Sequence, residues 1–358
     1  MLNARYKYDN KSIIKLNSIQ EQTKIQIESK IKQEHYKTEE VQCIICENKN
    51  FEQISEKDRF GLPMSVVICR NCGLLQTNPR MNQDAYNEFY KLEHRKLLLG
   101  KEKPTNEVFF DEYYHGQKIY QYIKKNSSIN CNESFVVEIG CGTGGILAYF
   151  RDQGCKVFGI DLDEEYILFG KKNYNLNLSI SSLIECPLEK SPDIVIFSHA
   201  LEHLLKPDQE LSRILSIMNP KGILYIEVPG IRNMVYIHND MNLLYYFQLP
   251  HTYHFSLTTL TNLLHKNGFK FANGNEKIKS IFIPDRTSKI YKNDYNEILV
   301  YLRRLEMLRK YLPITPFKIK SIIEWIYCLL LRKTGLYNIV RTIYRQIIKR
   351  TDPQNRAK

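Results

Sequence analysis

The sequence lacks any long apolar run. A helix that spans a bilayer needs about 20 apolar residues, whereas the apolar segment Ile322–Leu331 is much shorter and contains Glu324. The chain also has no internal repeat, and its N-terminal residues are polar, unlike a secretion signal. These absences exclude a membrane-spanning protein and a solenoid. They predict a cytoplasmic protein, with peripheral attachment at the inner membrane face as a further option.

Acidic residues are scarce near the end of the chain. Residues 301–358 hold 14 Lys and Arg against 3 Asp and Glu, and this excess of +11 is nearly the whole net charge of +12. Ile339, Ile343 and Ile347 recur with a basic residue two positions after each, which predicts an amphipathic helix. Such a helix would pack on the main domain or a second subunit, or lie on an anionic membrane. Nucleic acid is a weaker option, because aromatic residues do not alternate with the basic ones.

Glycine is concentrated in one segment, where residues 136–145 read V-V-E-I-G-C-G-T-G-G. Two valines lead into Glu138, glycines then alternate with small residues, and apolar residues follow. This order predicts a buried strand, a tight turn and the start of a helix. Because glycine has no Cβ, the turn can bring backbone N–H groups close to a ligand. The next predicted strand ends at Asp161, whose carboxylate can accept hydrogen bonds from ribose hydroxyls.

Two cofactors are compatible with this turn. Gly140, Gly142 and Gly145 fit the G-x-G-x-x-G pattern of NAD-binding folds, whereas Gly140, Gly142 and Gly144 fit G-x-G-x-G. The second pattern, with Glu138 two residues before it, resembles motif I of class I S-adenosylmethionine (SAM)-dependent methyltransferases. Later segments resemble the same family: a strand followed by Leu-Glu-His, a Pro-Lys-Gly turn before a strand ending in Val-Pro, and a terminal Gly-Phe strand. An NAD-dependent enzyme needs none of these later segments.

The resemblance covers roughly residues 130–275 and implies a doubly wound, Rossmann-like α/β sheet with SAM at the carboxyl ends of its strands. The glycines and Glu138 would enclose the methionine part of SAM, Asp161 would bind its ribose, and Leu162 would pack on its adenine. The full set of cofactor-binding residues implied in this way is Glu138, Gly140, Cys141, Gly142, Gly144, Asp161, Leu162 and Ser198.

Four of the nine cysteines form two Cys-x-x-Cys pairs separated by 22 residues, namely Cys43, Cys46, Cys69 and Cys72. Four thiolates complete a closed tetrahedral shell around zinc. A pair of disulfides is the alternative, although no secretion signal precedes the pairs. Because such a shell has no open coordination position, we expect a zinc ion here to be structural.

This cysteine segment also resembles the small zinc-binding domain that precedes some bacterial methyltransferases, with Asn78-Pro79-Arg80 shortly after the second pair. Several of those enzymes act on sugars, including C-methyltransferases that modify nucleotide-linked deoxysugars. The resemblance implies methyl transfer to a sugar hydroxyl or carbon of a nucleotide-linked or lipid-linked glycan, in surface-polysaccharide or natural-product synthesis. An RNA 2′-O-methyltransferase-like enzyme, an NAD-dependent oxidoreductase and a non-catalytic SAM-binding scaffold remain alternatives.

Histidines cluster in two places, His199 and His203 around Glu202, and His251 with His254. Histidine is the commonest general base near neutral pH, so one interpretation makes His203 or His254 the base, with Glu202 orienting it. A second interpretation is a divalent metal bound by His199, Glu202, His203 and one later histidine. It resembles the metal site of small-RNA 2′-O-methyltransferases, whose first glutamate is His199 here. In a third, these residues shape the pocket without chemistry.

The sequence therefore predicts five regions along the chain. They are a polar helical or disordered leader over 1–40, a zinc ribbon over 41–82, a helical linker that covers the acceptor over 83–130, the SAM-binding domain over 131–275, and a basic amphipathic helical extension over 276–358.

Overall fold

The computed structural model describes residues 1–101, 103–183, 188, 190–236, 241–287 and 291–311. The amphipathic helix expected around Ile339–Lys349 lies outside these residues. Within the described ranges, no helix is both long and apolar enough to cross a bilayer.

The first part of the chain contains one helix, then short strands, and then three further helices. Helix α1 begins at a reciprocal cap, in which Asn17 accepts from the Gln20 backbone N–H at 2.9 Å and the Gln20 side chain accepts from the Asn17 N–H at 3.1 Å. The elements are α1 (Ser18–Lys32), β1 (Thr38–Glu39), β2 (Phe51–Lys57), β3 (Pro63–Cys69), β4 (Leu75–Thr77), β5 (Arg80–Met81), α2 (Gln83–Leu92), α3 (His94–Leu99) and α4 (Asn106–Asn126).

The second part alternates strands and helices. Its buried strands are runs of apolar residues, as expected when helices cover both faces of a parallel sheet. The elements are β6 (Phe135–Ile139), α5 (Gly145–Asp152), β7 (Lys156–Asp161), α6 (Glu164–Tyr174), β8 (Leu178–Ile180), β9 (Ile194–Ser198), α7 (Pro207–Ile217), β10 (Ile223–Glu227), β11 (Tyr253–His254), α8 (Leu257–Lys266), β12 (Phe269–Gly274), β13 (Lys279–Pro284) and α9 (Tyr295–Tyr311).

A seven-stranded sheet with the order β12-β13-β10-β9-β6-β7-β8 lies at the centre of the second part. Strands β8, β7, β6, β9 and β10 are parallel, and β13 runs antiparallel between β10 and β12. Numbered within the sheet, the order is 3-2-1-4-5-7-6, which differs from the 3-2-1-4-5-6 order of dinucleotide-binding folds. The predicted doubly wound α/β sheet is confirmed. The boundary predicted at 275 is wrong, because β13 is an interior strand of this sheet.

The cysteine segment does not form a separate sheet. Strands β2, β3 and β4 pair antiparallel, and β11 from the second part adds to β4 with Tyr253 opposite Gln76 and His254 opposite Leu75. The loop of the first cysteine pair also contacts α8, where Lys266 donates from Nζ to the Ile44 carbonyl at 2.9 Å. The predicted ribbon over 41–82 is therefore completed by a strand more than 170 residues further along the chain.

The N-terminal residues pack on the last described helix. Tyr6 is fully buried, and its hydroxyl donates to Glu306 of α9 at 2.5 Å. Arg5 forms an ion pair with the same carboxylate at 2.5 Å. Ile27 of α1 is fully buried as well. Of the two alternatives predicted for residues 1–40, the structure shows the helix, over Ser18–Lys32. Residues before this helix also pack on α9, so the disordered alternative is wrong.

Candidate active site

The glycine turn joins β6 to α5 at the crevice beside β9. Gly140, Gly142 and Gly144 all have positive φ, at 74°, 55° and 79°, a backbone region that favours glycine. The space is tight as well, because a Cβ on Gly140 would lie 2.8 Å from the Cβ of Ala200. The side chain of Cys141 is buried in the core, where its Sγ lies 2.7 Å from the position of a Cβ on Gly159. Cys141 can therefore reach a cofactor with its backbone but not with its thiol.

Glu138 lies at the end of β6 beneath this turn. Its side chain is buried, and its Oε2 has no hydrogen-bond partner among the described residues. Burial, with the carboxylates of Glu112 and Asp161 nearby, raises the pKa of Glu138 well above its usual value. A buried carboxyl oxygen without a partner fits a ligand that brings a donor or a positive charge, as the ammonium group of a methionine moiety does.

Asp161 ends β7 next to the turn. Its Oδ2 accepts from the Gly142 N–H at 2.8 Å and its Oδ1 from the Asp163 N–H at 2.9 Å. The guanidinium of Arg95 lies 3.8 Å from Oδ2 and 4.3 Å from the ring centre of Tyr166. The next residue, Leu162, is 64% exposed, so an apolar side chain is available beside the carboxylate.

Glu112 of α4 lies over the start of α5 and was not predicted as a site residue. Its Oε2 accepts from the Thr143 hydroxyl at 2.5 Å and from the Gly145 N–H at 3.1 Å. Burial raises the pKa of Glu112 to about 7. A carboxylate at a helix N-terminus satisfies free backbone donors, so the predicted linker helix directly covers the cofactor turn.

A second group of side chains begins where β9 ends at the half-buried Ser198. His199 has a φ of 54° and donates its backbone N–H to the Glu227 carbonyl at 2.8 Å. Its side chain is 51% exposed, and its Nδ1 lies 3.7 Å from Oε1 of Glu202. Desolvation of the packed side of this half-exposed imidazole opposes its ionisation, but the Glu202 and Glu227 carboxylates outweigh that effect and raise the pKa of His199.

Glu202 lies at the centre of this group. Its side chain is 2% exposed, and neither carboxylate oxygen has a hydrogen-bond partner among the described residues. His203 Nε2 lies 3.8 Å from Oε1, and one ligand atom each of Glu202, His203 and His251 lie within 4.8 Å of one another. Burial lowers the pKa of both histidines, that of His251 well below its usual value. Below this group the ring of His94 lies 5.6 Å from that of His203.

His254, a predicted base, lies at the edge of this group, with its ring centre 5.9 Å from that of His251. Its ring packs against Tyr246 and Phe247 at centroid distances of 5.3 and 5.1 Å, and neither ring nitrogen has a hydrogen-bond partner among the described residues. Burial lowers the pKa of His254 to about 3. β11 thus directs the ring of His254 into aromatic packing against Tyr246 and Phe247, which favours a base or ligand role for the other histidines over His254.

Glu227, at the end of β10, was also missed from the sequence. It accepts from the Tyr225 hydroxyl at 2.8 Å and lies 3.0 Å from His115 Nε2 and 3.3 Å from Lys279 Nζ. Burial alone would raise the pKa of Glu227, but the hydrogen bond and charge of His115 hold it at about 2. Lys279, His115 and His199 therefore surround one buried carboxylate at the same edge of the sheet.

The four predicted zinc ligands come together as expected. The sulfur atoms of Cys43 and Cys72 are 3.4 Å apart, those of Cys46 and Cys69 are 3.5 Å apart, and all four lie within 4.8 Å of one another. Zn–S bonds of about 2.3 Å in a tetrahedron place sulfur atoms about 3.8 Å apart. The second pair also has the turn of a metal knuckle, since the Leu74 N–H points to Cys72 Sγ at 3.5 Å. The donor set and its spacing fit zinc.

Comparison with known proteins agrees with this geometry. Residues 110–272 match the family model described as a methyltransferase domain. An uncharacterized methyltransferase of Staphylococcus carnosus is 27% identical over 94 residues, which are 26% of this chain and 45% of that protein. The chain thus spans less than half the length of this curated relative. The sheet order, the glycine turn and the family match define a SAM-dependent class I methyltransferase domain, and they set aside the NAD-dependent alternative.

Parts of two solved structures are also similar to this chain. Magnesium protoporphyrin IX methyltransferase from Synechocystis PCC 6803, with bound S-adenosylhomocysteine, is 16% identical with a TM-score of 0.40, over 57% of this chain and 98% of that one. The sugar N-methyltransferase KedS8 from Streptoalloteichus sp ATCC 53650 is 12% identical with a TM-score of 0.30, over 36% of this chain and 55% of that one.

Proposed function

We propose that the whole protein transfers a methyl group from SAM to a sugar on an anionic nucleotide or lipid carrier, with His199 as general base and Glu202 as the residue that orients it. The observation that carries this is the position of His199. It follows β9 at the crevice where the glycine turn lies, and half of its side chain is exposed. Ligands of doubly wound sheets bind in this crevice.

His199 is better placed for proton transfer than the two histidines first considered. Nδ1 of His203 donates to the Pro250 carbonyl at 3.1 Å, and its other nitrogen faces Glu202. His254 lies in apolar packing. In His199, by contrast, Nδ1 faces Glu202 at 3.7 Å and half of the side chain is exposed, so we assign the acceptor contact to Nε2. A base oriented by a carboxylate through its other ring nitrogen is a common catalytic arrangement.

The step balances without a further reactant. The acceptor oxygen or carbon forms a bond to the methyl carbon, and the carbon–sulfur bond breaks with its electron pair remaining on sulfur, which yields S-adenosylhomocysteine. The acceptor proton passes to His199 Nε2. Alignment of acceptor, methyl and sulfur provides much of the acceleration in such displacements. The close approach of Gly140 to Ala200 brings the glycine turn next to the segment of His199.

The sugar acceptor is supported by the four-cysteine module and by the charge near the site. We infer that Cys43, Cys46, Cys69 and Cys72 hold a structural zinc ion, as in the sugar methyltransferases that the segment resembles. The exposed His199, with its raised pKa, would suit a phosphate-bearing carrier. In addition, the basic extension after residue 300 would favour an anionic carrier or membrane surface.

The test measures SAM binding by calorimetry and S-adenosylhomocysteine formation with a panel of nucleotide sugars. His199→Asn should lower kcat about 10²-fold or more and leave the Kd for SAM unchanged. Asp161→Ala is the matched control, which should raise that Kd about 10-fold or more because it removes charged hydrogen bonds. The proposal is wrong if SAM does not bind, or if RNA is methylated, with steep salt dependence of its binding, while sugars are not.

A further inference from the structure

The Glu202 carboxylate has an unusual environment. Its side chain is only 2% exposed, and both of its oxygens lack a hydrogen-bond partner among the described residues. Burying a carboxylate costs several kcal/mol unless a cation or donors compensate it. Three imidazoles face it, those of His199, His203 and His251, yet none lies within hydrogen-bond distance in this structure. The space between them therefore fits a cation.

The ring nitrogens are arranged as they are in metal sites. His203 donates Nδ1–H to the Pro250 carbonyl at 3.1 Å, which leaves the lone pair of Nε2 directed to Glu202. Metal-binding histidines typically use their second nitrogen in this way, since the outer hydrogen bond fixes the tautomer and the ring orientation. The same carbonyl accepts from the Tyr86 hydroxyl at 2.8 Å, so it is held in place.

The backbone fixes the three side chains relative to one another. The Thr252 N–H donates to the Glu202 carbonyl at 2.9 Å, and this bond joins the Leu-Glu-His turn to the segment of His251. The His251 carbonyl accepts from the Thr77 hydroxyl at 2.9 Å. The ring centre of His94 lies 5.6 Å from that of His203, and its buried Nε2 has no hydrogen-bond partner among the described residues.

The neighbouring carboxylate of Glu227, unlike that of Glu202, already has hydrogen-bond and ion-pair partners. His115 and Glu227 also lie within 4.8 Å of His199 by their ligand atoms. However, Glu227 already accepts from Tyr225 and pairs with Lys279 at 3.3 Å. A metal ion there would have to displace the lysine, whereas a metal ion at Glu202 would fill an unpaired site.

We propose that Glu202, His203 and His251 bind a divalent transition-metal ion. Two imidazoles and one carboxylate suit ions such as Zn²⁺, Mn²⁺ or Fe²⁺, and three protein ligands leave coordination positions open. Resting on the proposed function, the open positions take two oxygens of the acceptor and hold them beside His199. The ion is distinct from the cysteine-bound zinc, whose four thiolates leave no such position.

The test counts metal in the full chain after it is freed of metal and reloaded separately with Zn²⁺, Mn²⁺ or Co²⁺. With Zn²⁺ or Co²⁺, wild type should retain two ions per chain. Glu202→Gln and His251→Asn should retain one, with metal affinity at this site at least about 100-fold weaker, because even outer hydrogen-bond partners change it 10- to 100-fold. His35→Asn is the control, since His35 is 53% exposed and bonded to Glu88, and it should retain two. Co²⁺ absorption distinguishes the thiolate site from the nitrogen–oxygen site.

One bound ion in wild type, lost entirely in Cys69→Ala, would overturn the proposal, as would two ions retained in Glu202→Gln. Far-ultraviolet circular dichroism of each variant shows that it is folded, and Gln in place of Glu removes a buried charge without changing the shape of the side chain. The count needs neither SAM nor acceptor. A chain that binds SAM and one ion overturns only this inference, and a chain that binds two ions but no SAM overturns only the proposed function.

Discussion

The four-cysteine cluster and the cluster of Glu202, His203 and His251 both place metal-ligand atoms within 4.8 Å of one another, but they differ in what surrounds them. The cysteines come from two tight turns of one short segment, and their four thiolates would close the coordination shell of a metal ion. The other cluster draws on two loops about 50 residues apart, and its neighbour His199 is exposed. A closed set of identical ligands is suited to holding a fold, and an open mixed set to holding a substrate.

The largest expected effect is on the free energy of unfolding, and it should distinguish a cluster that stabilises the fold from one that binds a substrate. Cys69→Ser should lower the free energy of unfolding by more than about 4 kcal/mol, because a structural zinc site contributes directly to folding. Glu202→Gln should not lower it in metal-free protein, since it removes an uncompensated buried charge. Urea unfolding of both variants beside wild type checks this. Equal losses in the two variants would contradict the division of roles.

An intermediate effect concerns Glu227 and acid. Its pKa of about 2 lies below the ordinary value of 4.5, so its contribution to stability is present above about pH 4.5 and is lost as the pH falls towards 2. The shift corresponds to about 3 kcal/mol in total. The stability difference between wild type and Glu227→Gln should therefore shrink as the pH falls below about 4.5, as measured by urea unfolding at successive pH values. A constant difference would show that Glu227 is not held ionised by His115 and Lys279.

The smallest effect sharpens the contrast between two histidines three positions apart. His254→Phe should cost less than about 1.5 kcal/mol of unfolding free energy, because the new ring is apolar and of similar shape in an aromatic environment. The metal content should not change. His251→Phe should remove one bound ion instead. Loss of an ion in His254→Phe, measured by the same metal analysis, would place His254 back in the cluster.

The sequence predicted most reliably what depends on short segments. The glycine turn, the strand ends at Glu138 and Asp161 and the two cysteine pairs each need fewer than ten consecutive residues, and the sheet and the four-cysteine cluster agree with those predictions. What it missed depends on distant contacts. Glu112 and Arg95 reach the turn only because α3 and α4 fold over it, and nothing in their local pattern indicates this.

The choice among the histidines illustrates the same limit. His251 and His254 are equivalent by residue type and spacing, and only the pairing of β11 with β4 decides which ring meets Glu202 and which enters the aromatic packing. Likewise, the boundary at 275 was placed too early because an antiparallel strand inserted between two others leaves no mark in the sequence order.

The pairing of β11 with β4 also determines how a shortened form of this protein would behave. A fragment beginning after Arg80 would expose an unpaired strand edge at Tyr253 and His254, next to the residues that orient His251. Exposed edges of this kind invite association with other chains. The methyltransferase part of the chain should therefore not fold correctly without the cysteine segment. Exchanging the cysteine module would therefore also disturb the segment that positions His251.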